Sequence, residues 1–153
     1  MGTGTFAAVA FVQTNCRIST TPVAFGQYDP IVAHRSADLN ASGAITVACV
    51  KGTAPTIALG AGANAAGGTR RMRLASESEF LDYQLYQPTT NQPAAPCGFP
   101  GLRVWGAAGP ETFSATAAPS KSARSYNVCG TVRAGQNPRV GNYADTVIAT
   151  VNF

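Results

Sequence analysis

Apolar and polar positions alternate with a period of two along most of this chain, which is the pattern of half-buried β-strands. In residues 44–50, Ile45, Val47 and Cys49 fall on one face. In residues 79–87, Leu81, Tyr83 and Leu85 fall on one face, with Asp82, Gln84 and Tyr86 on the other. Residues 56–59 and 125–132 read as further strands, and 71–74 leads into another. Residues 102–106 read as a short strand carrying the only tryptophan, Trp105, and Phe113 sits in a Ser/Thr/Ala-rich segment that reads as one more. At the C-terminus Val147, Ala149, Val151 and Phe153 share a face, while Thr146, Thr150 and Asn152 punctuate the other. A strand in that place must be tied into a sheet.

Turn signals separate these runs. Gly26 with Asp29-Pro30 marks one turn, and residues 134–138 mark another. Residues 33–43 are polar and read as a loop ending in a turn at 40–43. Residues 60–69, built of Gly, Ala and Asn, read as a flexible hairpin loop. Prolines 88, 93, 96 and 100 make the stretch around Cys97 a loop. No stretch holds a helical period with caps. The pattern predicts an all-β sandwich or barrel, and 153 residues suffice for one domain with one core.

One run stands apart. From Phe6 to Val12 every residue is apolar, so both faces of the strand it would form are apolar: Phe6, Ala8, Ala10 and Val12 on one, Ala7, Val9 and Phe11 on the other. The run is too short to span a bilayer. It also lacks the basic start and small-residue cleavage site of a signal peptide, so an exported chain would here be in its mature form. It is either the ordinary first strand of the domain or a strand meant for another molecule.

Composition narrows the chemistry. Only 12 % of residues are charged, and the net charge of +4 comes mainly from scattered arginines. The cluster Arg70-Arg71-Met72-Arg73 reads as a solvated loop or strand edge, and no aromatic platform accompanies it, so no nucleic-acid partner is expected. Four cysteines, Cys16, Cys49, Cys97 and Cys129, contain no Cys-x-x-Cys pair, and His34 is the only histidine, so no metal site is expected. An even count in a weakly charged β-chain points to disulfides and an oxidising compartment, with three pairings open. No enzyme is indicated. His34 lies in a polar segment with no Gly-x-Ser-x-Gly elbow, Glu77 and Glu79 lack any sign of a sugar cleft, and Trp105 reads as core. The glycines at 60–68 lack the Gly-Lys-Ser/Thr ending of a phosphate loop, and no cofactor is expected.

The order of several pieces carries a resemblance. They are the apolar strand before Cys16, residues 23–30 (VAFGQYDP), 45–49 (ITVAC), 81–86 (LDYQLY), 104–106 (VWG), 132–136 (VRAGQ) and 141–147 (GNYADTV). Together they resemble the spore coat protein U domain, the domain of pilin subunits in archaic (Csu-type) chaperone–usher pili, over essentially the whole chain. The terminal Gly-x-Tyr-x-Asp-Thr-Val, followed by alternating apolar residues, is the most specific piece.

The resemblance implies an incomplete immunoglobulin-like sandwich that lacks one strand and is completed by a donor strand from a neighbouring subunit. Residues 1–15 would then be the donor strand and 16–153 the pilin domain. It implies Phe6, Ala8, Ala10 and Val12 as the inserting face, with Ala7, Val9 and Phe11 nearly as apolar, and a C-terminal groove-edge strand bearing Val147, Ala149, Val151 and Phe153. It implies a Cys16–Cys49 disulfide, which leaves Cys97 to Cys129. The partners implied are identical subunits in a head-to-tail filament, a periplasmic chaperone, an outer-membrane usher and a tip adhesin. The location implied is an extracellular pilus serving attachment and biofilm formation, in which a chain with one domain and its own donor strand is a shaft subunit. The competing reading is a self-complemented secreted β-sandwich, lectin-like or a coat component, whose residues 5–12 fold back on their own domain.

Overall fold

The alternating runs assemble into two antiparallel sheets in a computed structural model that describes residues 1–100 and 103–153. The strands are β1 (Cys16–Thr21), β2 (Leu39–Cys49), β3 (Thr56–Leu59), β4 (Arg70–Leu74), β5 (Phe80–Tyr86), β6 (Phe113–Ser114), β7 (Arg124–Val132), β8 (Tyr143–Ala144) and β9 (Ala149–Asn152). One 3₁₀ turn, Gly109–Glu111, is the single helical element among the described residues. The larger sheet has the order β1-β2-β7-β5-β4-β8, and the smaller β6-β3-β9. This is the all-β, immunoglobulin-like sandwich expected from the sequence.

Register follows the buried faces, because a slip of one residue would turn each apolar row to solvent. Cys16 faces Cys49 across β1 and β2, Ile45 faces Tyr126 across β2 and β7, and Leu59 faces Ala149 across β3 and β9. The core lies between the sheets, with Ile45, Val47, Leu81, Leu85 and Val132 from one and Ile57 and Leu59 from the other. Trp105, fully buried, donates its indole N–H to the Ile57 carbonyl at 2.9 Å and packs on Phe113, which packs on Tyr126. The buried indole is thereby satisfied, as a core tryptophan must be. Disulfides join Cys16 to Cys49 at the β1–β2 edge and Cys97 to Cys129, which pins the proline-rich loop onto β7.

The structure corrects several expectations. Residues 39–43 are the first part of β2 and no loop. Gly43 marks a close approach: a Cβ there would lie 2.5 Å from the Thr21 carbonyl oxygen. Residues 60–69 form no hairpin, because β3 and β4 belong to different sheets. The segment is a crossover with a small turn closed by Ala66 and Thr69, where Gly67 and Gly68 have positive φ. Of the strand expected at 102–106, Leu102 lies outside the described residues and Val104 makes only an isolated bridge to Tyr86. Phe153 lies beyond β9 and is 56 % exposed, so it leaves the apolar row that Val147, Ala149 and Val151 keep. Arg70 is no solvated cation and is only 4 % exposed.

Candidate functional site: an open groove and an unpaired segment

Among the described residues, the second edge of β9 has no strand beside it. Upstream of β9 the pairing continues on one side only, with Ala63 N–H donating to Thr146 and Gly60 N–H to Ile148. Main-chain groups of an antiparallel strand point alternately to either neighbour. Thr146, Ile148 and Thr150 therefore turn their N–H and C=O toward β3. Val147, Ala149 and Val151 turn theirs outward, where they meet no backbone partner among the described residues. The same three residues point half-buried side chains inward. An edge of this kind is a template for another strand.

Beside it lies a groove of about 880 Å³. Its floor includes Ile45, Leu81, Tyr83 and Val128, one side carries Tyr143, Asp145, Val147 and Ala149, and the other runs from the end of β1 at Thr20 to Pro30. Val23 and Phe25 from that segment pack against the core. Phe25 meets Tyr83 edge-on at 6.1 Å, and Gly130 makes room: a Cβ there would lie 2.7 Å from both Phe25 and Val23.

Hydrogen bonds fix this wall. Tyr28 donates its hydroxyl to the Arg133 carbonyl at 2.9 Å and accepts the Gln136 N–H at 3.0 Å. The Gln136 side chain in turn brackets the main chain of Asp82. Asp29 accepts the N–H groups of Ile31 and Val32, and these, Val32 first, hold its carboxyl below the usual carboxylate range. His34, the only histidine, accepts the Asp29 N–H through Nδ1 at 2.8 Å and stacks on Tyr28. It thus braces the loop.

A polar network crosses one end of the groove. Tyr83 on β5 donates to Asp145 Oδ2 at 2.6 Å, and Asn64 donates its N–H and side-chain amide to Asp145 Oδ1 at 3.1 and 2.9 Å. Burial, then the bond to Asp145, pushes the Tyr83 hydroxyl well above its ordinary pKa. Arg70 on β4 donates to the carbonyls of Leu59, Gly60 and Trp105, and burial lowers its pKa. Arg71 covers the Phe80 ring at 3.8 Å and donates to Asn64, while Arg73 donates to Ser76 and Glu77, so the arginine cluster braces the fold. The Tyr143 hydroxyl, raised chiefly by burial and then by Glu79, donates to Arg139.

The N-terminal segment is not in the groove. Residues 1–15 form no ladder, and Phe6, Val9, Phe11 and Val12 are 93, 92, 89 and 75 % exposed. The last tie is Asn15, whose carbonyl accepts the Val50 N–H. Phe6, Ala8, Ala10 and Val12 are as exposed as Ala7, Val9 and Phe11, so neither face is distinguished. The structure thus brings Val147 and Ala149 to the groove, packs Val151 against the core, and leaves the apolar run outside the groove. Sequence reasoning did not assign the wall residues Val23, Phe25 and Tyr28 or the Asp145 network to the site, although the 23–30 and 141–147 pieces contained the signal for each. Glu77 pairs with Arg139 at 2.6 Å on the surface, and the described residues hold no cluster of three metal-ligating side chains. No helix is long and apolar enough to cross a membrane among the described residues.

Three comparisons place this arrangement. The chain is 35 % identical over 140 residues to Protein U of Myxococcus xanthus, covering 84 % of this chain and 70 % of that protein. In fold it is similar to a crystal structure of the CsuC-CsuE chaperone-tip adhesion subunit pre-assembly complex from archaic chaperone-usher Csu pili of Acinetobacter baumannii. That similarity has a TM-score of 0.62 at 24 % identity, over 93 % of this chain and 40 % of the other. The sequence model of the Spore Coat Protein U domain matches residues 2–150, from the unpaired apolar run into β9. A match of that extent makes the chain a member of the Spore Coat Protein U domain family.

Proposed function

We propose that the protein is a structural pilus subunit that polymerises head-to-tail, residues 6–12 of one copy adding a strand to the groove of the next. The observation that carries this reading is the coexistence, in one chain, of an open-edged groove with apolar side chains on its floor and an exposed apolar segment that does not fill it. The lengths agree. Seven extended residues span about 23 Å at about 3.3 Å each, and the open edge, 145–152, is eight residues long. Main-chain bonds to Val147, Ala149 and Val151 would supply affinity, and alternate side chains entering the groove would set register. A contact between two different surfaces of identical copies does not close on itself, so it builds a filament. Phe6 or Phe11 would contribute roughly 1.5–3 kcal/mol on burial, and the alanines much less, so backbone pairing carries more of the stability.

Both disulfides suit an oxidising route through a periplasm, where a chaperone would cover the groove and an outer-membrane usher would export the subunit. The CsuC-CsuE complex, a chaperone with a tip adhesion subunit, supports partners of this kind. In this reading the pilus is extracellular and serves attachment and biofilm formation. The unfolded-back position of residues 1–14 argues against the self-complemented binding module.

The test compares the full-length chain with a variant carrying Ala8→Asp and Val9→Asp. One charge falls on each face, so whichever face inserts carries a carboxylate into the groove. Negative-stain electron microscopy and unboiled gels should show thin filaments and a ladder for the parent and monomer alone for the variant. Two monomers of equal melting temperature would sink the proposal.

A further inference from the structure

The motif at 141–147 was the most specific piece of the sequence, and strand capture does not by itself explain its aspartate. Asp145 sits where the chain leaves β8 in the larger sheet for β9 in the smaller one. Groups from β5 and from the crossover at 60–69 converge on it. Tyr83 holds Oδ2 from β5, and Asn64 holds Oδ1 twice from the crossover. Arg71 of β4 holds the Asn64 carbonyl at 2.9 Å. Gly62 has φ +96°, and any Cβ there would collide with the carboxylate. Gly141 packs against Leu74, where a Cβ would overlap that side chain, and Tyr143 pairs with Leu74 in register. Both carboxylate oxygens are thus occupied by donors, and the residues around them are shaped to admit the group.

We infer that Asp145 is a positioning residue for strand capture, holding the open edge of residues 145–152 in place across the groove before any strand arrives. The inference rests on the function proposed above. An edge bonded on one side only is free to shift, and each chain in which it has shifted is lost to binding until it returns. The apparent association falls by the fraction of chains that hold the competent geometry. The Tyr83–Asp145 bond is the direct side-chain tie between β5 and this edge, and it is charge-assisted. Its loss therefore acts on capture more than on the filled groove, where an inserted strand holds the edge from its second side.

The experiment uses the full-length chain in the Ala8→Asp, Val9→Asp background, with a fluorescent peptide of residues 4–14 as probe and stopped-flow anisotropy as readout. Tyr83→Phe and Asp145→Ala should slow association about tenfold and change dissociation less than about threefold. Asp145→Asn should recover most of the association rate, because an amide can accept from Asn64 and donate to the Tyr83 oxygen. Unchanged association in Tyr83→Phe, or a change confined to dissociation, would overturn the inference. Absence of peptide binding by the background chain itself would overturn the proposed function beneath it. Tyr83→Phe and Asp145→Asn keep the shape of the site, so the result does not depend on Asp145→Ala folding.

Discussion

Replacing Arg70 by methionine isolates what a buried cation does for the crossing between the sheets. Methionine keeps an unbranched apolar stem and removes every donor. In the native chain Nη2 lies 2.7 Å from the Gly60 carbonyl and 2.8 Å from that of Trp105, and 3.3 Å from that of Leu59. Nε adds a second bond to Gly60 at 3.2 Å, and Nη1 reaches Gln84. Two well-formed bonds from a charged donor would each cost roughly 1.5–3 kcal/mol to lose. Against this, methionine need not be desolvated, which returns part of that sum. The expected loss of unfolding free energy is therefore about 3–4 kcal/mol. It would appear as a lower urea midpoint at unchanged slope in the monomeric Ala8→Asp, Val9→Asp background. Arg70→Lys should recover less than half of it, since one ammonium cannot span carbonyls from separate segments as a planar fork does. A loss below about 1 kcal/mol for Arg70→Met would refute the reasoning, because the three carbonyls would then have found other partners at little cost.

Two further outcomes test other parts of the frame. The Cys16–Cys49 bridge spans 33 residues, for which loop-closure entropy alone gives about 3.7 kcal/mol. Replacing both cysteines by serine should lower stability by roughly 2–4 kcal/mol, read from the urea midpoint, and a drop under about 1 kcal/mol would show that the β1–β2 ladder alone restrains the chain there. The second concerns acid. The Asp29 carboxyl is lowered from 3.8 by the N–H groups it accepts, so its contribution is present above that value and is lost as pH falls through the lower folded value. The amide shifts of Ile31 and Val32 should move together in an NMR titration on the acid side of pH 3.8, and Asp29→Asn should abolish that joint movement. Shifts that ignore the substitution would remove Asp29 as the cap.

The strands β2, β5 and β7 were legible because each contrasts an apolar face with a polar one, and a period of two needs no knowledge of the partner strand. The same local reading misplaced residues 39–43, since Gly43 has the composition of a turn and the job of a close approach to Thr21. It misplaced Arg70 because arginine in a cluster is usually solvated, and what buries this one are carbonyls 10, 11 and 35 residues away. The Asp145 network joins partners 62 and 81 residues apart, and no window along the chain contains it.

The N-terminal run shows the limit from the other side. It is strand-like in length and residue type, yet it pairs with no strand among the described residues. A strand with two apolar faces and no charge is poorly suited to the edge of a soluble sheet, where one face must meet water. Val147, Ala149 and Val151 present the converse, a half-buried row whose outward main-chain groups meet no backbone partner among the described residues. Each element is left incomplete, and in length the run at 6–12 is comparable to the open edge at 145–152. On the function proposed above the two would meet only between copies, and neither the periodicity of one segment nor the fold of one chain would then contain their fit.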